Sequence, residues 1–109
     1  GLIKDKCFGP SIMIGMGGIN TEIYGDITFR LIPIEPRDAD EMIEEVSIGK
    51  FTGSGFRGKY IDRVNLINFL MKISEMGTLS DDFLEQLDLN PVKINGKEIY
   101  VLDAKLIKT

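Results

Sequence analysis

Asn95-Gly96 lies between two apolar-rich runs, residues 86–94 and 97–107, an arrangement that strongly favours a β-hairpin at the end of the chain. With a two-residue type I′ turn, Ile94 faces Lys97, Asp88 faces Asp103 and Asn90 faces Val101. Directly opposite residues share a face of the ribbon, as do residues two apart along one strand. Asp88, Asn90 and Asp103 are therefore expected on one patch. In the same register Pro91 falls opposite Tyr100 at a non-hydrogen-bonded position, where its missing N–H costs nothing.

Two carboxylates brought together across a ladder repel unless a cation sits between them. Val92, Ile94, Ile99 and Val101 extend the same face and are expected to be buried, which raises the cost of unpaired charge beside them. Carboxylate and amide oxygens suit a hard cation such as Mg²⁺, which keeps water and phosphate in its other positions. A solvated hairpin end, its acids paired with Lys105 or Lys97, fits the same spacing. Spacing alone leaves both open.

Upstream, residues 8–14 form a β-like run stopped by Gly15-Met16-Gly17-Gly18. Residues 19–24 and 27–34 read as two more strands, hinged at Gly25-Asp26. Ile27, Phe29 and Leu31 alternate with Thr28, Arg30 and Ile32, which gives this strand an apolar face. Pro36 suits a first helical position, and Asp38, Asp40 and Glu41 favour the positive end of the dipole. Ala39, Met42, Ile43 and Val46 follow at helical spacing. Residues 47–60, with glycines at 49, 53, 55 and 58, are expected to form a loop. Asp62 then caps a second helix with Leu66, Ile67, Leu70, Ile73 and Ser74 on its inner stripe and Gly77 at its end. The expected order is β-β-β-α-α-β-β, an α+β fold in which an antiparallel sheet is covered by two helices.

The chain has 109 residues, one domain's worth. Seventeen acids against thirteen bases leave a net charge of −4, which argues against a nucleic-acid partner. Charge does not exclude a nucleotide, because Mg²⁺ and backbone N–H groups hold phosphates on acidic proteins. No run reaches the roughly 18 apolar residues of a membrane span, so no membrane partner is expected. Cys7 is unpaired, which fits a reducing cytoplasm better than secretion. Histidine is absent, so catalytic triads, His-ligated zinc and a phosphohistidine of the chain's own are excluded. Chemistry here must use carboxylates, amides, Arg, Lys or a partner's groups.

Leu87-Asp88-Leu89-Asn90-Pro91-Val92, followed by Val101-Leu102-Asp103-Ala104-Lys105, resembles the end of the ATP-grasp domain in nucleoside-diphosphate-forming acyl-CoA synthetases, the superfamily of succinyl-CoA synthetase β subunits. Phe8-Gly9-Pro10 with Gly15-Met16-Gly17-Gly18-Ile19 is similar to the family's strand and glycine turn. Glu22, Asp26, Phe29-Arg30-Leu31 and Pro33 resemble its next strand pair, and Gly55-Phe56-Arg57-Gly58 its Gly-aromatic-Arg-Gly loop. The likeness is strongest to the ADP-forming acetyl-CoA synthetase branch.

The resemblance implies that Asn90 and Asp103 hold Mg²⁺ on the phosphates of ATP or ADP. It implies that Asp88 approaches a phosphohistidine presented by a CoA-binding domain or subunit, orienting its imidazole. The reaction implied is phosphoryl transfer between ATP and that histidine, coupled to acyl-CoA formation or cleavage. The chain then reads as the C-terminal lobe of an ATP-grasp domain over residues 1–109. The N-terminal lobe, with its phosphate-binding lysine and adenine-hinge residues, would be a partner.

Other signals are weaker. Gly15-Met16-Gly17-Gly18-Ile19-Asn20 departs from a dinucleotide fingerprint, because Asn20 replaces the third glycine and a strand is expected to follow. Arg57 between Gly55 and Gly58 is a candidate clamp for a nucleotide phosphate, or a surface arginine. Arg30 on a polar strand face suits a cross-strand ion pair. The competing function is a non-catalytic docking half-domain of a multidomain CoA ligase or acyltransferase, which makes no demand on Asp88, Asn90 and Asp103.

Overall fold

Two helices of unequal length lie on one face of a five-stranded antiparallel sheet, and among the described residues no helix covers the opposite face. The computed structural model describes residues 1–15, 26–52 and 60–109. Its strands are β1 (Leu2–Asp5), β2 (Gly9–Gly15), β3 (Ile27–Leu31), β4 (Leu84–Leu89), β5 (Val92–Asn95), β6 (Glu98–Val101) and β7 (Ala104–Lys108). The helices are α1 (Pro36–Glu45) and α2 (Arg63–Leu79), with a 3-10 turn at Ser47–Phe51. The main sheet runs β3-β2-β1-β4-β7, and β5 and β6 form a separate two-stranded ribbon. This is the expected α+β arrangement, with β1 as an additional first strand and each arm of the expected terminal hairpin divided between the main sheet and the ribbon. The strand expected at 19–24, the glycine turn at 16–18, Glu22 and Arg57 lie outside the described residues.

Both helices start where side chains satisfy their open N–H groups. Pro36 occupies the first turn of α1, and Asp38 accepts from the Glu35 N–H at 2.8 Å. Asp62 caps α2 by accepting from the Asn65 N–H at 2.9 Å. Ala39, Met42 and Ile43 from α1 and Leu66, Leu70 and Ile73 from α2 are buried against Leu2, Ile12 and Leu87 of the sheet. Leu2 lies opposite both Ile12 and Leu87, so these three share the covered face.

Gly77 does not end α2, which continues to Leu79. A β-carbon at Gly77 would sit 2.5 Å from Ile32 Cδ1 and 3.1 Å from the Leu2 methyls. The glycine lets the helix approach the sheet closely. The apolar face of β3 is also not the core face. Thr28 is buried, whereas Phe29 is 62% exposed and Leu31 52% exposed. The helices can cover the polar face because Glu45 of α1 accepts from Thr28 Oγ1 and, at 2.6 Å, from Arg30. Arg30 thus pairs from strand to helix, rather than across strands. Cys7 is exposed in the β1–β2 turn, its N–H donated to Asp5. Among the described residues no helix is long and apolar enough to cross a membrane.

Ser74 is buried in the helix–sheet layer and accepts the Ile34 N–H at 3.0 Å. Ser74→Ala would strand a buried donor and is expected to cost about 1–3 kcal/mol. Urea melts of the two proteins test this, and equal midpoints would show the bond to be dispensable.

Candidate functional site

Asp88, Asn90 and Asp103 sit where the main sheet hands over to the β5–β6 ribbon. β4 and β7 pair through Asp88 with Lys105 and Leu89 with Ala104. The Asn90 N–H then donates to the Asp103 carbonyl at 3.2 Å, and the Leu102 N–H to the Pro91 carbonyl at 3.0 Å. The Asn90–Pro91 bond is cis at this joint. Beyond it the ribbon resumes with Val92 opposite Val101 and Asn95 opposite Glu98.

The register differs from the one expected of an Asn95-Gly96 turn. The two unpaired tip residues are Gly96 and Lys97, so Asp88 faces Lys105 in place of Asp103, and Asn90 faces Asp103 in place of Val101. Pro91 accordingly meets Leu102, not Tyr100. The tip explains the shift. Gly96, at φ +61°, donates its N–H to the Tyr60 carbonyl and accepts from the Asp62 N–H, both at 2.8 Å. These tertiary bonds outweigh the local preference of Asn-Gly. Every partner moves by two residues, a whole period of the strand, so within the two ladders the residues keep their expected faces.

The joint lies on the uncovered side of the sheet. Leu31, Ser11, Ile3, Gln86 and Ile107 form one row across all five strands, and strand alternation carries the same face from Gln86 to Asp88; Asn90 and Asp103 follow just beyond the last pair, Leu89 with Ala104, joined by their backbone hydrogen bond. Ile3, Met13, Phe29, Leu31 and Ile107 leave this face apolar and exposed. The flanking ribbon is less enclosed than expected. Val92, Ile94 and Ile99 are half-buried and Val101 is 42% exposed, because the ribbon has left the sheet and only Ile94 packs on the core.

The α-ammonium of Gly1 acts electrostatically on Asp88. Lys105 faces Asp88 in the ladder, yet among the described residues no Lys or Arg makes an ion pair with Asp88 or Asp103. Asp103 Oδ1 accepts the Ala104 N–H at 2.9 Å, which orients the carboxylate. Among the described residues no three acidic, His or Cys side chains form a metal cluster. The site offers two carboxylates and one amide oxygen. That oxygen-only set fits a hard divalent cation that draws its remaining ligands from water or phosphate. Tyr60, Asp62 and Asn65, which hold the ribbon tip, were not legible as part of this region; the capping position of Asp62 was the only signal.

The α+β lobe, an antiparallel sheet with two helices on one face, is the architecture of an ATP-grasp-like domain. The chain belongs to the ATP-grasp domain family, whose model matches residues 1–107. It is 38% identical over 110 residues to the β subunit of acetate–CoA ligase (ADP-forming) II of Pyrococcus furiosus, covering 98% of this chain and 46% of that subunit. It is 40% identical over 104 residues to 4-hydroxybutyrate–CoA ligase (ADP-forming) of Nitrosopumilus maritimus, covering 91% of this chain and 14% of that protein. A solved structure of Ca. Korarchaeum cryptofilum dinucleotide-forming acetyl-coenzyme A synthetase 1 superposes with a TM-score of 0.84 at 36% identity, over 99% of this chain and 50% of that one. That protein holds coenzyme A and Mg-AMPPCP, with a phosphohistidine segment pointing towards the nucleotide-binding site. The chain therefore spans about half the length of the β subunit and a smaller share of the longer ligase.

Arg30 and Glu45 form a second polar cluster, which joins β3 to α1. Hydrogen bonds from Arg30 and then Thr28 hold the Glu45 carboxyl below its ordinary value of 4.5. The folded chain thus binds this proton more weakly than the unfolded chain, and the bond's contribution is complete above that ordinary value. It is lost as pH falls from there through the lower folded value. Melting temperature is expected to decline below about pH 4.5, and Arg30→Met to decline less steeply. Superimposable acid profiles would assign the decline to other groups.

Proposed function

We propose that this chain is the C-terminal lobe of the ATP-grasp domain of an ADP-forming acyl-CoA synthetase. Its part is to hold Mg²⁺ and the nucleotide phosphates while a phosphoryl group passes between ATP and a histidine on a CoA-binding partner. The observation that supports this reading is the backbone hydrogen bond that brings Asn90 against Asp103 beside the Asp88 end of β4, with no salt bridge to either carboxylate among the described residues.

In this reading Asn90 and Asp103 supply Mg²⁺ ligands. When bound, the ion neutralises phosphate charge and keeps attacking and leaving groups in line. Asp88, two pairs back along β4, would accept a hydrogen bond from an imidazole N–H and so set which ring nitrogen faces the phosphate. Arg57 is assigned to a nucleotide phosphate on the family likeness alone. The apolar outer face would close against the N-terminal lobe, and the whole enzyme would work in the cytoplasm. The relatives' names span acetate and 4-hydroxybutyrate, so the acyl group is read elsewhere in the enzyme.

Mn²⁺ titration in the presence of ADP, followed by electron paramagnetic resonance, tests the site. Asn90→Ala and Asp103→Ala are each expected to weaken binding by at least about tenfold. Identical titrations for all three proteins would favour the docking half-domain. The purified chain is expected to turn over no ATP by itself, and measured turnover would refute the half-site assignment.

A further inference from the structure

The joint belongs to two bodies, and only one of them is the main sheet. β4 and β7 are fixed by their pairing within the five-stranded sheet, while β5 and β6 continue as a two-stranded ribbon. Such a ribbon is marginal by itself in water. Outside the joint its described supports are the contact of Ile94 with the core and the clamp at its tip. The clamp is made of backbone bonds from Gly96 to Tyr60 and Asp62, an isolated bridge between Ile61 and Gly96, and one side chain, Asn65. Asn65 Nδ2 donates to the Lys97 carbonyl at 2.9 Å. Its own N–H is held at 2.9 Å by the Asp62 carboxylate that caps α2. Asn65 is thereby fixed from both sides, and it ties the hairpin tip to the first turn of the helix.

We infer that Asn65 is a positioning residue for the cation site: by fastening the ribbon tip to the start of α2, it sets the orientation in which Asn90 and Asp103 meet at the far end of the ribbon. The inference rests on the Mg²⁺ reading of those two residues. The backbone bonds of Gly96 fix the height of the tip, and the Asn65 bond to the next carbonyl restrains its rotation about the ribbon axis. Rotation at the tip is transmitted through four cross-strand pairs to Asn90 and Asp103, whose backbone contact is the bond at 3.2 Å. Groups that orient metal ligands without touching the metal commonly change affinity by about 10–100-fold.

Asn65→Ala removes the donor, and Asn68→Ala on the exposed side of α2 serves as the control. Mn²⁺ affinity in the presence of ADP is expected to fall about tenfold in Asn65→Ala and to stay at the wild-type value in Asn68→Ala. Backbone amide exchange, measured without metal, is expected to speed up at Asn90 and Leu102 in Asn65→Ala only. A general loss of stability would raise exchange across the β1–β2 pair as well, and would overturn the positioning role. Unchanged affinity in Asn65→Ala, with binding lost in Asp103→Ala, would overturn the inference and leave the metal site standing. If Asp103→Ala binds like wild type, the metal reading itself fails. Unaltered exchange at Asn90 and Leu102 would sink the mechanical link whatever the metal does.

Discussion

The seat of α2 on the sheet is the contact on which everything else depends. At its C-terminal half, Gly77 permits an approach that any side chain would obstruct, and Ser74 takes up the Ile34 N–H inside the layer. At its N-terminal end the same helix carries Asp62 and Asn65, which grip the ribbon tip. One rigid rod therefore connects the core to the far end of the hairpin. Because 17 residues of helix span roughly 25 Å, the two ends reach quite different parts of the lobe. α1 packs beside it through Met42 and Ile43 and is tied to β3 by Glu45.

Much of this organisation was legible in the residues. The Pro36 start of α1, the Asp62 cap and the inner stripe of α2 all express local rules that the structure keeps. The glycine at 77 misled because a C-terminal signal and a packing requirement look alike in one dimension. Only the neighbours Leu2 and Ile32, some 75 and 45 positions away in sequence, distinguish them. The alternation in β3 was read correctly as a pattern. Which side faced the helices was not readable, because Thr28 and Arg30 are acceptable there only through Glu45.

The hairpin shows the same division between local and tertiary information. Asn95-Gly96 located the bend to within one residue, and the strand period suggested acids and amide on one side. The partners were misjudged because Gly96 is bonded to Tyr60 and Asp62, which no local rule anticipates. The strand period of two meant that this displacement kept the residues of the two ladders on their expected faces. A displacement of one residue would have reversed them. The oxygen-rich joint thus survives an error that would have been fatal with odd parity.

The uncovered wall of Ile3, Met13, Phe29, Leu31 and Ile107 has an electrical consequence as well as a hydrophobic one. Hydrocarbon that hides from water against a second surface creates a dry seam, and the seam's edge runs along the strand ends that carry Asp88 and Lys105. Charges lodged at the lip of such a seam interact through a medium of lower dielectric constant, which screens them less than water does, so attraction and repulsion both strengthen severalfold. Covering the wall would therefore change how strongly neighbouring charges act on one another without moving any of them.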